Sequence, residues 1–189
     1  YKVPVTIVIG KADTLENEAL EEADEFTAIY EDAGYDVMRL SSVTGEGVNE
    51  IRAMLRDHTT LVAGNSGVGK STLIGSIDPT LEIRTGEISD SHHQGKHTTT
   101  FSTMYPLEGG YIIDTPGIKG FGLIDIDDKE LCRYFPEMMR IAPDCRFYNC
   151  THTHEPGCAV VEAVKEGMVA WSRYESYLKI LDEDDKYRK

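Results

Sequence analysis

A short glycine-rich segment constrains the fold of this chain more than any other feature of its sequence. The segment matches the pattern G-x-x-x-x-G-K-[ST] and consists of Gly64, Asn65, Ser66, Gly67, Val68, Gly69, Lys70 and Ser71. A β-branched run precedes it, and apolar helical spacing follows it. In that context the glycines let successive backbone N–H groups face one phosphate, Lys70 supplies a cation and Ser71 supplies a ligand for Mg²⁺. This phosphate loop, residues 64–71, with Thr72 next to it, predicts a nucleoside-triphosphate site rather than a plain glycine turn with a solvated lysine.

Strands and helices are predicted to alternate along the first two thirds of the chain. The order is strand 5–9, helix 16–33, strand 35–40, helix 48–55, strand 59–63, helix 70–77 and a hairpin over 99–114. The first run is continuously apolar and β-branched, which is typical of a strand buried in a parallel sheet. Residues 78–97 show no periodicity and predict a mobile loop. The alternation predicts an α/β fold, a mostly parallel sheet with helices on both faces.

The pattern changes after about residue 123, where short helical segments surround clustered cysteines. We therefore expect two domains, an α/β domain at 1–123 and a small, mainly helical domain at 124–189. The chain has 189 residues, 40% of them hydrophobic, which is enough to bury a core. The last predicted helix, at 169–181, carries an apolar stripe that we expect to pack in a core: Tyr174, Tyr177, Leu178 and Leu181.

A second phosphate-facing motif, Asp114-Thr115-Pro116-Gly117, follows the last predicted strand. Asp114 is expected to hold Mg²⁺ through water, and the N–H of Gly117 is expected to reach a γ-phosphate. Such a segment alone is often an ordinary β-turn, but beside a phosphate loop it favours a GTPase-type site. A threonine between the two motifs is expected to bind Mg²⁺ through its hydroxyl. The sequence does not distinguish Thr98, Thr99 and Thr100, and we retain Thr98 and Thr99 as candidates.

Two segments at strand ends are expected to recognise a guanine base. The first base segment, Gly10-Lys11-Ala12-Asp13, resembles the N-K-x-D motif, with Gly10 where that motif usually has Asn. The carboxylate of Asp13 can accept from N1–H and N2–H₂ of guanine together, a donor pair that adenine lacks, while Lys11 would lie over the base plane. The second base segment, Leu40–Gly47, contains Ser41 and Ser42, near which a backbone N–H would meet guanine O6. Each segment taken alone is equally well explained by an ordinary turn.

The order of these motifs differs from that of ordinary GTPases, in which the base segments follow the phosphate loop. A parallel sheet collects such loops at its carboxyl edge, so rejoining the chain elsewhere leaves the pocket intact. With GNSGVGKS, GKHTTT and DTPGIKGFG in this order, the sequence resembles the circularly permuted GTPases. It most closely resembles the RsgA/YjeQ family of ribosome small-subunit-dependent GTPases, and the resemblance covers essentially the whole chain.

The resemblance implies a GTPase that binds GTP or GDP with Mg²⁺ and acts in late maturation of the small (30S) ribosomal subunit. It also implies that the subunit and its rRNA are the partners, and that the subunit stimulates hydrolysis. Members of the family usually carry an oligonucleotide-binding β-barrel ahead of the GTPase domain. This sequence shows no such segment, and its start at Tyr1 rather than Met is typical of a fragment or a processed product.

Clustered cysteines in the last third of the chain predict a metal site. Cys145, Cys150 and Cys158 with one histidine offer three thiolates and an imidazole, a tetrahedral ligand set for a structural Zn²⁺. Disulfides and buried free thiols are the alternatives. His152 is preferred over His154 because its spacing is the one that the family shows. Cys132 lies outside this spacing and is expected in the core.

The residue that orients the attacking water is not evident from the sequence. Ile118 stands after Gly117, where many GTPases place a glutamine, and its side chain cannot hydrogen-bond to water. His97 is the candidate catalytic residue, and a solvated loop histidine without such a role explains it equally well. Two other functions remain open: a nucleotide-binding scaffold without hydrolysis, and a P-loop phosphotransferase, against which Asp13 and the motif order argue.

The charge of the chain limits its partners. The formal net charge is −14 and no third of the chain is net positive, so DNA is not an expected partner and any RNA contact must be local. No apolar run approaches the roughly 20 residues that span a bilayer, and no signal segment opens the chain. We expect a cytoplasmic monomer with no membrane partner.

Overall fold

The computed structural model describes residues 3–81, 102–115 and 128–187. Its strands in these ranges are β1 (Thr6–Ile9), β2 (Asp36–Arg39), β3 (Thr59–Val62), β4 (Thr103–Leu107) and β5 (Gly110–Asp114). Its α-helices there are α1 (Glu18–Ala33), α2 (Val48–Leu55), α3 (Lys70–Ile77), α4 (Asp128–Leu131), α5 (Pro136–Ile141), α6 (Ala159–Lys165) and α7 (Trp171–Tyr187). Short 3₁₀ helices lie at Ala12–Thr14, Cys132–Tyr134 and Ala142–Asp144. Most of the loop predicted at 78–97 falls outside the described residues. In the ranges given above, no helix is both long enough and apolar enough to cross a membrane.

Hydrogen bonds join the described strands into two sheets, β1-β2 and β3-β5-β4. β3 runs parallel to β5 with Val62 opposite Asp114, and β4 runs antiparallel to β5 in the predicted hairpin. The end of β3, from which the phosphate loop departs, therefore lies beside the end of β5, which carries Asp114. The α/β class is confirmed, and the register brings the two phosphate-facing motifs together.

The first strand is less buried than its apolar sequence predicts. None of the four residues of β1 is buried, and Val8 is 39% exposed. Side chains alternate between the two faces of a strand, and β1 pairs with β2 in a sheet of only two described strands. The prediction of a fully buried strand was therefore wrong, because continuous apolar character does not show how many neighbours cover a strand.

The phosphate loop is supported by the core under helix α3. The buried side chains of this helix, Leu73, Ile74 and Ile77, pack with α2 and with Ile112 of β5. Arg52 of α2 donates to the carbonyl oxygen of Ile77 through Nε at 3.0 Å and Nη2 at 2.8 Å. A cation at this position satisfies the last carbonyl groups of α3 and complements the helix dipole. The C-terminal end of the short helix that follows the phosphate loop is thereby held.

Residue contacts divide the chain into two compact units. The first unit contains Tyr1–Asp24 and Val37–Phe121, and the second contains Glu25–Asp36 and Gly122–Lys189. The last residues of α1 thus belong by their contacts to the second unit, although they precede the phosphate loop in sequence. The predicted domain boundary after residue 123 does not anticipate this exchange and stays a prediction.

The second unit has its own core, which contains Cys132 as predicted. Tyr174 and Tyr177 are buried in it, and Leu178 and Leu181 pack against it, which confirms the predicted role of the stripe on α7. Beside this core, Arg173 makes an ion pair with the buried Glu137 at 2.7 Å. Its guanidinium also lies over three aromatic rings, those of Tyr30, Tyr35 and Phe135, at 5.0, 5.9 and 4.8 Å. These contacts attach the end of α1 to α5 and α7 within the second unit.

Candidate functional site

The phosphate loop has the backbone conformation that its glycines predict. Gly67 and Gly69 have φ of +81° and +101°, values that L residues with side chains rarely adopt. Gly69 immediately precedes α3, so the free N–H groups at the start of that helix face the loop. The side chains of Asn65 and Val68 are exposed and that of Ser66 is half-buried. A concavity lined by N–H groups at a helix N-terminus binds phosphate oxygens.

Lys70 places its charge within this loop. Its Nζ donates to the carbonyl oxygens of Gly64 at 2.8 Å and Asn65 at 2.9 Å. The side chain therefore folds back along the loop instead of extending into solvent, and it is half-buried. A lysine at this position provides a fixed positive charge for the β- and γ-phosphates of a nucleotide.

Ser71 and Asp114 meet beside the loop. Ser71 Oγ donates to Asp114 Oδ2 at 2.9 Å, although the two residues are 43 positions apart in sequence. Asp114 is 1% exposed, and its Oδ1 is a buried oxygen that lacks a hydrogen-bond partner within the described ranges. A buried carboxylate with an unsatisfied oxygen, next to a hydroxyl, is the donor set that Mg²⁺ takes with phosphate and water. These residues fit the predicted magnesium site. Thr72, one position further along α3, is exposed.

Thr115 adds a contact that the sequence did not indicate. Its Oγ1 donates to the carbonyl oxygen of Val62 at 2.8 Å, and the residue is 8% exposed. The bond joins the end of β5 to the end of β3, one residue beyond their paired register. It thereby holds the start of the second phosphate-facing motif against the strand that leads into the phosphate loop.

The two base segments contact each other directly. Ser41 Oγ donates to Asp13 Oδ1, and it accepts from the N–H groups of Val43 at 3.2 Å and Thr44 at 3.1 Å. Ser41 is fully buried whereas Asp13 is exposed. The buried hydroxyl therefore orients the carboxylate and orders the loop around it. Ser42, the other predicted residue here, is half-buried.

The first base segment also lies against the phosphate loop. A Cβ placed on Gly10 would lie 3.5 Å from the carbonyl oxygen of Val68, an ordinary contact. Lys11, next along the chain, is exposed and has a left-handed backbone with φ of +60°. The structure thus brings both base segments and the phosphate loop to one side of the first unit. His97, Thr98, Thr99 and Gly117 lie outside the described residues.

Gly47 closes the second base segment at a position where only glycine fits. Its φ is +72°, and a Cβ there would collide with the carbonyl oxygen of Arg39. The N–H of Ser41 donates to the carbonyl oxygen of Glu46 at 3.0 Å. This hydrogen bond depends on the close approach of the two ends of the loop.

Replacement of Gly47 by alanine is expected to reduce the free energy of unfolding by about 2 kcal/mol or more, since a left-handed conformation and a backbone clash both oppose it. Thermal or urea unfolding of the purified chain measures this. Gly45→Ala is the matched control, because Gly45 has φ of +86° but no heavy atom within 4 Å of its Cβ position. An equal loss in both variants would contradict the prediction.

A separate cluster in the second unit contains the four predicted metal ligands. One ligand atom from each of Cys145, Cys150, His152 and Cys158 lies within 4.8 Å of the other three. His152 Nδ1 is 3.6 Å from Cys145 Sγ and 3.5 Å from Cys158 Sγ, and these two sulfurs are 3.9 Å apart. Around a tetrahedral zinc ion with ordinary bond lengths, the S···N and S···S edges are about 3.5 and 3.8 Å. The four residues therefore fit Zn²⁺.

The ionisation of this cluster is shaped by its burial. Burial raises the pKa of the Cys150 thiol to about 12, raises the pKa of Cys158 and lowers the pKa of His152. Each shift favours the uncharged group. A cation that takes thiolate ligands must therefore displace protons from these cysteines, so its affinity rises with pH.

The chain is similar to proteins of one family. The family model described as RsgA GTPase matches residues 1–124. Over its whole length the chain is 50% identical to the small ribosomal subunit biogenesis GTPase RsgA of Bacteroides fragilis and covers 62% of that protein. It is 47% identical, again over its whole length, to the protein of the same name from Porphyromonas gingivalis and covers 61% of it.

Solved structures give the same result. The crystal structure of YjeQ from Thermotoga maritima matches with a TM-score of 0.79 and 34% identity, over 96% of this chain and 60% of that one. The structure of YloQ, described as a circularly permuted GTPase, matches with a TM-score of 0.73 and 30% identity, over 97% and 57% of the two chains. The predicted circular permutation is therefore confirmed. The chain spans about three fifths of the length of the curated relatives it matches.

Proposed function

The chain belongs to the RsgA GTPase family, and on that premise we propose that it binds GTP and GDP with Mg²⁺ and hydrolyses GTP to GDP and phosphate. The observation that carries the proposal is the meeting of Ser71 and Asp114 at 2.9 Å beside the phosphate loop. A hydroxyl and a carboxylate so placed are the two protein groups that hold Mg²⁺ in P-loop NTPases.

Each part of the site has a separate task in this reaction. The N–H groups of the phosphate loop and Lys70 hold the phosphates, while Ser71 and Asp114 hold the metal. Held by Ser71 and Asp114, Mg²⁺ would supply positive charge opposite the negative charge that develops on the phosphates in the transition state. Water attacks the γ-phosphorus and GDP leaves. We propose that Thr98 or Thr99 and the N–H of Gly117 approach the γ-phosphate, and that His97 orients the water.

Asp13 is proposed to select guanine. The carboxylate is exposed at the site, and Ser41 holds its Oδ1, which leaves the group oriented for the paired donors of the base. Lys11 is proposed to cover the base plane, and a backbone N–H near Ser42 to meet O6.

Replacement of Asp13 by asparagine is expected to weaken GTP binding by about ten- to hundredfold, because hydrogen bonds to a charged acceptor contribute about 1.5–3 kcal/mol. The affinity for xanthosine triphosphate is expected to rise relative to that for GTP, because the asparagine amide can donate to O2 of xanthine. Titration of both nucleotides into each variant measures this. Asp57→Asn is the control, because Asp57 precedes β3 at the end that does not lead into the phosphate loop. Asparagine also tolerates the left-handed backbone at position 57. Unchanged GTP affinity in Asp13→Asn would remove Asp13 from base recognition.

The biological setting is proposed from the family. Relatives named small ribosomal subunit biogenesis GTPases suggest action in late maturation of the 30S subunit, with the subunit and its rRNA as partners and as stimulators of hydrolysis. We propose a cytoplasmic monomer. The net charge of −14 favours a local contact with rRNA over a broad one.

The test is GTP hydrolysis by the purified chain alone, with 30S subunits and with 50S subunits. We expect 30S subunits to stimulate GTP hydrolysis and 50S subunits not to stimulate it. Absence of hydrolysis in every condition, with GTP still bound, would favour a nucleotide-binding scaffold. Equal use of ATP would favour a phosphotransferase. If the chain hydrolyses GTP slowly and 30S subunits do not stimulate it, the proposed GTPase activity is supported and the proposed partner is wrong.

The second unit is proposed to hold a structural Zn²⁺ through Cys145, Cys150, His152 and Cys158. The separations among their ligand atoms match a tetrahedral S₃N site. Four protein ligands leave no position for a substrate, so this metal supplies stability and not catalysis.

A further inference from the structure

The histidine of the cysteine cluster has an unusual backbone. His152 has φ of +56°, one of the few residues other than glycine with positive φ in the described ranges. The residue is 4% exposed, so its peptide groups cannot rely on solvent for hydrogen bonds. A left-handed conformation is costly for a residue with a side chain and persists only where the surroundings impose it.

One carboxylate accepts hydrogen bonds from N–H groups on both sides of this histidine. Glu155 Oε1 accepts from the N–H of Thr151 and from Thr151 Oγ1, both at 2.6 Å. Glu155 Oε2 accepts from the N–H of Thr153 at 3.1 Å and from that of His154 at 3.2 Å. Four donors that bracket His152 thus converge on a single side chain. Burial opposes ionisation of Glu155, but these hydrogen bonds outweigh it and hold its pKa well below the usual range.

Two tyrosines of α7 hold the opposite side of the same peptide groups. Tyr177 OH donates to the carbonyl oxygen of Thr151 and Tyr174 OH donates to that of His152, both at 2.7 Å. Tyr177 is 0% exposed and Tyr174 is 6% exposed. Burial raises the pKa of both phenols, so they remain donors at neutral pH. The backbone around His152 is therefore fixed from both sides.

We propose that Glu155 is a positioning residue of the metal site, which sets the backbone at 151–154 so that His152 Nδ1 faces the sulfurs of Cys145 and Cys158. The inference rests on the proposed zinc site and extends it beyond the four ligands. Glu155 touches none of the ligand side chains in the contacts described above. It acts by making the left-handed turn at His152 the favoured conformation before the metal binds.

The chemistry of the contacts requires a carboxylate. An ionised carboxylate offers only acceptors, and here it faces four donors. The amide of glutamine has nearly the same shape but must direct its NH₂ group at either Thr151 or the N–H groups of Thr153 and His154. Two donors then face each other, so Glu155→Gln disrupts the turn with minimal change of volume.

The test compares Zn²⁺ affinity in the wild-type chain and Glu155→Gln by competition with a chromophoric chelator. Outer contacts of metal ligands typically account for 10–100-fold in affinity, and a loss of about that size is expected. Glu166→Gln, an exposed glutamate at the end of α6, is the control and should bind zinc as wild type does. Unchanged affinity in Glu155→Gln would overturn the inference.

A spectroscopic measurement separates positioning from general stability. With saturating Co²⁺ in place of zinc, Glu155→Gln should show altered ligand-field bands, because Nδ1 no longer sits in its wild-type position. A wild-type spectrum at saturation combined with weaker binding would mean that Glu155 only stabilises the fold, and would overturn the proposal. Glu155→Asp, which keeps the charge, provides the same comparison if the amide variant does not fold. A wild-type chain that binds no zinc would instead refute the metal site itself, and this inference with it.

Discussion

Replacement of Lys70 by alanine is expected to lower the affinity for both GTP and GDP by about a hundredfold or more. The lysine Nζ lies along the phosphate loop, held by the carbonyl oxygens of Gly64 and Asn65. Two charge-assisted contacts to phosphate oxygens contribute about 3–6 kcal/mol together, which corresponds to on the order of 10²–10⁴ in affinity. No neighbouring cation on α3 replaces the charge, since the rest of that helix carries none.

Equilibrium titration with fluorescent GTP and GDP analogues measures this effect. Lys165→Ala is the matched control: that lysine is exposed on α6 and pairs with Glu162 at 3.2 Å, far in sequence from the loop. Its loss should leave nucleotide affinity unchanged, because exposed ion pairs contribute little. Lys70→Ala with wild-type affinity for both nucleotides would contradict the assignment of residues 64–71 as a phosphate site.

The parts of this molecule that the sequence predicted well are determined by residues close together in the chain. The helices predicted at 48–55 and 70–77 have those bounds in the structure. Each combines an apolar spacing with a clear start, such as the glycine before Lys70. The phosphate loop is also local, since its glycines determine its backbone whatever packs around it.

Contacts between distant residues account for what the sequence did not show. Asp13 and Ser41 are 28 positions apart, and nothing in the sequence signals that the Ser41 hydroxyl orients the Asp13 carboxylate. In the same way, nothing local indicates that Arg52 caps α3 or that the end of α1 packs in the second unit. Such pairs form because strands and helices bring them together, so they are found only once the fold is known.

Glu155 illustrates the limit within a recognised motif. Its neighbours Cys150, His152 and Cys158 stand out because cysteine and histidine have few common roles when clustered. A glutamate among them resembles a solvated surface charge, and only the convergence of four donors on its carboxylate distinguishes it. Residues that bind can be predicted by type and spacing, whereas residues that position them depend on backbone geometry.

Removal of the metal, or replacement of Cys150 by serine, is expected to destabilise the second unit strongly and to leave nucleotide binding nearly unchanged. Structural zinc provides about 10–16 kcal/mol of apparent binding free energy in small finger peptides. Here part of that loss is offset, because the described residues of the second unit include a hydrophobic cluster of ten buried residues. The phosphate loop, both base segments and Asp114 all belong to the first unit, whereas Cys150 belongs to the second.

Metal analysis of protein purified without chelator should give one zinc per wild-type chain and almost none for Cys150→Ser. Hydrogen exchange should then show lost protection at 136–141 and 159–165, with protection at 70–77 retained. Cys132→Ala is the matched control, because Cys132 is buried in the same core but is not one of the four clustered ligands. It should keep its zinc and cost about 1 kcal/mol as an ordinary core truncation. A fully protected second unit in zinc-free Cys150→Ser would show that its apolar core, including Met138, Val160 and Tyr177, suffices without the metal.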